Sequence, residues 1–237
     1  MKFAIIAAGE GSRLQQEGVD LPKPLVKIAG ESMIDRLIRI FRKNGATEID
    51  IIVNTFNPLT KHHIQHLKEN GLGNDIRMVV KSTPSSMHSF AELAPLLGKG
   101  RFCLTTVDTI FNEEDFSHYI AYFKKSKWDG CMAVTDFIDD EKPLYVGTDK
   151  EMRITGFFDE QNDCSYISGG IYCLDEKALA TLNRCLMQGK RRMRNFQRAL
   201  IEDGIALKAF KFSKILDVDH ASDISKAEAF LKGEKLC

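Results

Sequence analysis

The sequence carries no excess charge of either sign: 33 Lys and Arg balance 33 Asp and Glu over 237 residues. General nucleic-acid binders are usually basic, so nucleic acid is not an expected partner. The six cysteines, Cys103, Cys131, Cys164, Cys173, Cys185 and Cys237, contain no C-x-x-C pair, which removes zinc-site spacing. Several sit in apolar runs (FCLTTV, GIYCL) and read as buried, reduced thiols of a cytoplasmic protein. No apolar run approaches the roughly 18 residues of a membrane span. The run FAIIAA near the start is shorter than the about seven residues a signal-peptide core needs. Repeats and low-complexity tracts are absent. Apolar residues make up 43% and charged residues 28%, ordinary for a globular chain and too apolar for a disordered one. A chain of this length buries a large core without staples, and at about 150 residues per domain it predicts one or two domains.

What is present is a strand–helix alternation. Residues 2–8 (KFAIIAA) read as a buried strand and are followed by a polar loop from Gly9 to about Pro24. Helical spacing covers 33–43, and Gly45 stops it. Strands are expected at 48–54, 75–81 and 101–107, with helices at 59–69 and 88–97. This argues for a parallel sheet covered on both faces. After Asp108 the rhythm changes to strand-like segments at 130–136, 144–148, 152–158 and 169–174, an antiparallel or mixed extension of the sheet. Helices at 175–183 and 195–203, strands at 206–212 and 215–218, and a helix from about 222 to 231 close the chain, with Ser222 as its expected cap and Asp223 in its first turn. No linker divides the chain. The expected fold is one α/β domain over 1–237: a Rossmann-like, mostly parallel mixed sheet flanked by helices, with a smaller antiparallel sub-lobe.

Ligands of parallel α/β sheets bind beyond the carboxyl ends of the strands. Two features fall there: the loop Gly9-Glu10-Gly11-Ser12-Arg13-Leu14, and Asp108 after RFCLTTV. The glycines let backbone N–H groups approach an anion. Arg13 offers a planar fork and Lys23 a point charge for phosphate, and Pro22 and Pro24 stiffen the chain around Lys23. The segment reads as a polyphosphate cradle, and a carboxylate opposite it, such as Asp108, suits Mg²⁺. Leu14 stands where a dinucleotide fingerprint needs its third Gly, and no G-K-[ST] makes a P-loop.

The whole segment AAGEGSRL…PKPLVKIAGESMIDRLI resembles the signature of the sugar-phosphate nucleotidyltransferases, with Gly9, Gly11, Ser12, Arg13, Pro22, Lys23, Leu25, Gly30, Met33 and Ile34 matching and Ser32 in place of the usual Pro. TTVDTIF (105–111), ITGFFDE (154–160), ISGGIYCL (167–174) and ILDVDHASDISKAEAFL (215–231) are similar to further family elements, in family order. The resemblance implies transfer of a nucleoside monophosphate from a nucleoside triphosphate to a sugar 1-phosphate, with release of pyrophosphate and Mg²⁺ as cofactor. It implies a nucleotide-binding half over 1–110 and an acceptor-binding half over 111–237. Arg13 and Lys23 become the catalytic cations. Ala8, Gly9, Gly11 and Ser12 become nucleotide-binding, and Asp108 and Asp217 metal ligands, with Asp219 in reserve. Asp159, with Glu160 beside it, Ser168 (for the usual Asn) and Gly170 become acceptor-binding. On this reading Lys23→Ala or Asp108→Ala lowers turnover by orders of magnitude with folding intact.

The chain departs from the family at its base-reading segment, where Q-x-x-x-L-G-T-A is replaced by Lys81–His88. Ser82, Ser85 and Ser86, with Thr83, are the hydroxyls left to meet a base. The spacer QQEGVDL and the YVG at 145–147 also differ, pointing away from a common hexose phosphate. A phosphocholine cytidylyltransferase-like enzyme is the alternative within the class, with Phe157, Phe158, Tyr166 and Tyr172 as cage candidates. A catalytically silent nucleotide-binding regulatory subunit is the alternative outside it, and a Rossmann dehydrogenase is more distant. His62, His63 and His66 read as a solvated helix face, as does the basic run Lys190, Arg191, Arg192 and Arg194, from which one Arg reaching the acceptor phosphate is a further reading. Asp139-Asp140-Glu141 reads as an exposed turn, and Trp128 as packed at a helix end. The length leaves no room for a hexapeptide-repeat acyltransferase domain, so a single activity is expected.

Overall fold

Strand β1 (Lys2–Ala7) is almost wholly apolar because it is buried on both faces. Alternate residues point to opposite sides: Phe3, Ile5 and Ala7 join one hydrophobic cluster, and Ala4, Ile6 and Ala8 join the other. In this computed structural model, which describes residues 1–139 and 142–233, the chain continues as α1 (Ser12–Gln16), the ribbon β2 (Lys27–Ile28) and β3 (Glu31–Ser32), and α2 (Met33–Lys43). Then come β4 (Ile49–Val53), α3 (Pro58–Glu69), β5 (Ile76–Val80), α4 (Ser86–Leu97), β6 (Phe102–Thr106) and β7 (Thr109–Phe111). The second half holds α5 (Glu113–Lys125), β8 (Gly130–Thr135), β9 (Tyr145–Thr148), β10 (Ile154–Phe158), β11 (Tyr166–Leu174), α6 (Ala178–Met187), α7 (Met193–Glu202), β12 (Leu207–Lys211), β13 (Ile215–Asp217) and α8 (Ala221–Leu231). Cys237 and the Asp140-Glu141 part of the acidic turn lie outside the described residues.

Among the described residues the main sheet has nine strands. β6, β1, β4 and β5 run parallel, as the alternation predicts. β11 then lies antiparallel to β6 and extends the sheet. β11 forks it: Ile171–Leu174 pair with β6, while Tyr166 and Ile167 pair with β9. Its pairing with β8 shifts register between Ser168 and Tyr172, where Gly170 adopts φ 71°. That fork opens the sheet at one point, and two cavities lie beside it.

Helices α2, α5 and α8 cover one face, and α4, α6 and α7 cover the other. The sequence reading leaves 112–129 without an element, and the structure places α5 there. Asn112 caps it by accepting from the Glu114 and Asp115 N–H groups, and three acidic residues fill its first turn. Phe116, Tyr119, Ile120 and Phe123 form its buried stripe. The last helix also starts differently from expectation. His220 is the N-cap, and the Asp223 carboxylate accepts from the Asp219 and His220 N–H groups, so Asp223 takes the capping role expected of Ser222.

Asp50, in the middle of β4, is fully buried and takes both its hydrogen bonds from Arg77 on β5, at 2.7 and 2.9 Å. Only the carboxylate is buried, and removing Arg77 leaves that buried charge uncompensated. Arg77→Ala is therefore expected to lower unfolding free energy by about 3–5 kcal/mol, read by urea denaturation. A loss below about 1 kcal/mol, the level of a surface ion pair, contradicts this.

Candidate active site

The loop after β1 turns sharply at Gly11, whose φ of 65° lies in the left-handed region. A Cβ there would sit 3.1 Å from the Lys23 Cβ. The loop is pinned from the far side by Asn54, whose Nδ2 donates to the Gly9 carbonyl at 3.0 Å. Lys23 follows Pro22 and opens a short 3-10 turn over Lys23–Leu25. Gly11→Ala thus meets two penalties: left-handed strain of about 1–2 kcal/mol and a push on Lys23. Turnover is expected to fall at least about tenfold, the equivalent of roughly 1.4 kcal/mol in barrier. Unchanged turnover at normal stability separates this turn from Lys23 placement.

On the facing side, Asp108 lies in the turn between β6 and β7, and β7 pairs antiparallel with β13. This ribbon sets Asp217 opposite Thr109, and the Val218 N–H donates to the Asp108 carbonyl at 3.1 Å. Residues more than a hundred positions apart are so brought to one edge. The Lys23 Nζ lies 2.6 Å from Asp108 Oδ2 and 2.5 Å from Asp219 Oδ1, and Arg13 Nη1 lies 3.6 Å from Asp219 Oδ2.

The electrostatics follow from this crowding. Burial alone would push the Asp108 carboxyl up, but the Lys23 ammonium outweighs it and holds the carboxyl below its usual range. Burial likewise opposes the charge on Lys23, and Asp108 and Asp219 overcome it and raise the ammonium above its ordinary value. Asp217 has an open face on the cavity, yet protein crowds its other sides. That burial, with the carboxylates of Asp108 and Asp219 beside it, pushes Asp217 up to about 7. Asp108 Oδ1 is buried and has no hydrogen-bond partner. An orphaned carboxylate oxygen beside a second, strained carboxylate is a hard-oxygen donor set that suits a divalent cation.

Two cavities meet at this point. One, of about 530 Å³, is lined by Ala8, Gly9, Gly11, Ser12, Arg13, Lys23, Ser85, Ser86 and Asp108. The other, of about 460 Å³, is lined by Ser168, Asp217 and the adjoining Lys226. Arg13 and Asp219 line both. Most of the expected residues therefore converge. Gly170 stands behind the lining, where the space for its Cβ faces Thr109 Oγ1 at 3.5 Å, and its neighbour Gly169 lines the cavity instead.

Two expected residues lie elsewhere. Ser82 does not line the nucleotide-side cavity: its hydroxyl accepts from the Thr55 N–H at 3.0 Å and meets the Thr55 hydroxyl at 2.7 Å. Asp159 lies outside the acceptor-side cavity, at the end of β10, held by Arg194 at 2.6 Å and Arg198 at 2.8 Å. Arg194 itself reaches the acceptor-side cavity.

The remaining hydroxyls of the 82–89 segment are tied to one another. Thr83 Oγ1 meets Ser89 Oγ at 2.6 Å, and Ser85 Oγ meets His88 Nδ1 at 2.8 Å and donates to the Arg191 carbonyl. The basic run thereby touches the nucleotide side through backbone. Sequence reasoning missed this contact, since nothing in either segment marks the other. It also kept Asp219 only as a reserve metal ligand, although its spacing from Asp217 was visible. His63 is paired with Asp35 at 2.7 Å and His66 with Asn70 at 3.1 Å, with no metal cluster among the described residues. Trp128 lies just past the end of α5, with the Lys208 ammonium 5.7 Å from its ring centre. Phe157, Phe158, Tyr166 and Tyr172 do not line the acceptor-side cavity, whose aromatic residue is Phe137.

Comparison with known proteins agrees with this geometry. The Bifunctional protein GlmU of Alkaliphilus oremlandii is 21% identical over 98% of this chain and 52% of its own length. The chain thus spans about half the length of that curated relative. A putative glucose-1-phosphate thymidylyltransferase from Bacillus anthracis has a similar fold, with TM-score 0.84 at 19% identity over 100% of this chain and 97% of that one. The inositol-1-phosphate CTP transferase from T. maritima superposes with TM-score 0.78 at 18% identity over 100% and 98%. The nucleotidyl transferase family model matches residues 2–234, and with the cradle, the paired cavities and the carboxylate edge in place, this chain belongs to that family.

Proposed function

We propose that the protein transfers a nucleoside monophosphate from a nucleoside triphosphate to a sugar 1-phosphate, or a similarly phosphorylated small acceptor, and releases pyrophosphate. The observation that carries this reading is Lys23, almost enclosed, with its ammonium against Asp108 and Asp219 where the two cavities meet. In-line attack by the acceptor phosphate on the α-phosphorus has to occur at such a junction. The nucleophile is already an anion, so no general base is needed, and catalysis rests on positioning and charge. Arg13 and the 9–12 backbone hold the β- and γ-phosphates. Lys23 binds the α-phosphate and the incoming phosphate together. Ser168, whose hydroxyl donates to Gln197 at 2.9 Å, lines the acceptor side and offers its hydroxyl oxygen there.

Asp108 and Asp217 would hold Mg²⁺, which supplies charge neutralisation at the phosphates when bound. Residues 1–110 then serve mainly the nucleotide and 111–237 the acceptor. A cytoplasmic location is part of this proposal. No helix among the described residues is long and apolar enough to cross a membrane. The phosphocholine alternative gains no support from the acceptor side: Phe137 carries the Lys214 ammonium 3.7 Å from its ring centre, where a cage would offer its face to the ligand.

The test is pyrophosphate release with MgCl₂, crossing the common nucleoside triphosphates with a panel of sugar 1-phosphates plus phosphocholine. One productive pair with a sugar phosphate supports the reading. Turnover only with phosphocholine replaces it by the alternative. Triphosphate binding without pyrophosphate release for any pair favours a regulatory subunit.

A further inference from the structure

We propose that Asp219 is a positioning residue: its carboxylate holds the Lys23 ammonium and the Arg13 guanidinium apart and aimed at the junction of the two cavities until phosphate oxygens take its place. The inference rests on the nucleotidyl-transfer reading for its chemistry and on geometry for its placement.

Asp219 divides its two oxygens between the two cations. Oδ1 lies 2.5 Å from Lys23 Nζ, and Oδ2 lies 3.6 Å from Arg13 Nη1. Without a carboxylate between them, two converging cations repel and swing toward solvent. Asp108 cannot do this work alone. It touches Lys23 through Oδ2 only, and it is the carboxylate whose other oxygen is left for a cation. Among the described residues Arg13 pairs only with Asp219, and its side chain is 56% exposed, so a long flexible stem relies on Asp219 for a defined direction.

The carboxylate is itself held from behind. The Asp219 N–H donates to Asp223 Oδ2 at 3.1 Å, which fixes the residue at the start of α8. The same junction is clasped by Glu17, which meets His220 Nδ1 at 2.6 Å and accepts from the Ala221 N–H at 2.6 Å. The loop bearing Arg13 and the segment bearing Asp219 are thus one assembly. In this arrangement Asp219 stands where an anion would stand, between the same two cations, and a triphosphate must displace it. A placeholder of this kind lowers anion affinity while keeping the cations in register.

The prediction separates binding from turnover. Asp219→Asn is expected to bind inorganic tripolyphosphate at least about threefold more tightly by calorimetry at low salt, because a competing negative charge is gone. Its kcat with the productive substrate pair is expected to fall at least about tenfold, and Asp219→Glu to recover most of that loss. A merely structural role would instead weaken binding and turnover together. Weaker or unchanged tripolyphosphate binding in Asp219→Asn, or kcat within about twofold of the parent, overturns the inference. Failure of the nucleotidyl-transfer reading is distinguishable: the unsubstituted protein would release no pyrophosphate with any pair, while the calorimetric arm would still report on Asp219.

Discussion

Lys23→Ala is expected to lower pyrophosphate release about 10²–10³-fold, the scale of losing one preorganised group that stabilises transition-state charge. Lys23 is the side chain that reaches both cavities' shared wall with a fixed ammonium, and its side chain is only 11% exposed. In such a site a charge is worth more than in water and costs no reorganisation when the reaction occurs. The loss should appear mainly in kcat, since Arg13 and the loop backbone remain to bind the triphosphate. Stability should also respond. Without the ammonium, Asp108, Asp217 and Asp219 face one another with only the exposed Arg13 beside Asp219, so the variant should melt earlier than the parent in metal-free buffer. The sequence by itself leads to the expectation of intact folding; the structure adds the expectation of a lower melting temperature. MgCl₂ should restore more melting temperature to the variant than to the parent, since it binds the folded state. Lys23→Met, which keeps the apolar stem, guards against loss of packing. If either variant turns over within about twofold of the parent, Lys23 is not the transferring site's cation.

The second large effect concerns Asp217, where activity and stability should move in opposite directions. Asp217 has a native pKa of about 7, against an ordinary value of 3.8. The folded state therefore holds this proton more tightly than the unfolded chain. Between those values the native protein binds more protons, so this group's contribution to stability falls as pH rises, and the penalty is full above about 7. Asp217→Asn removes the ionising group. In metal-free buffer the variant is expected to melt higher than the parent at about pH 8, and by a clearly smaller margin at about pH 5, where the same linkage leaves only part of the penalty. Its turnover is expected to fall by about 10²-fold or more, because one of the two proposed cation ligands is lost. A site destabilised for the sake of its ligand is a common trade. Melting curves at the two pH values, with and without MgCl₂, are the measurement. A parent that is as stable at about pH 8 as its Asn variant contradicts the crowding of carboxylates at this edge.

Which parts of this protein its sequence determines can be read from particular residues. The buried strand KFAIIAA, the β4 run and the strand before Asp108 are legible because strands covered on both faces are mostly apolar, with only isolated polar residues such as Asp50. The cradle is legible because Gly11 needs a left-handed backbone and Pro22 presets the turn that carries Lys23. Both are local constraints that side-chain chemistry alone imposes. Helix α5 carried its own local signals, an Asn cap, an acidic first turn and an i, i+3, i+4, i+7 stripe, but that stripe is three aromatics and an Ile, residue types that favour strands as much as helices, and the sequence reading leaves the segment without an element.

What only the tertiary structure decided is which distant polar groups share a space. The pairing of β7 with β13 brings Asp108 to Asp217 and carries Asp219 onto Lys23. Asp159 is drawn out of the acceptor side because Arg194 and Arg198, one turn apart on α7, offer it two charged partners. Ser82 is drawn to Thr55, beyond the end of the neighbouring strand. Such long-range partners compete for each side chain, and the winner depends on strand order and register. A linear chain does not state these, because hydrogen bonds and ion pairs are set by distances of a few ångströms between residues that the fold alone makes neighbours.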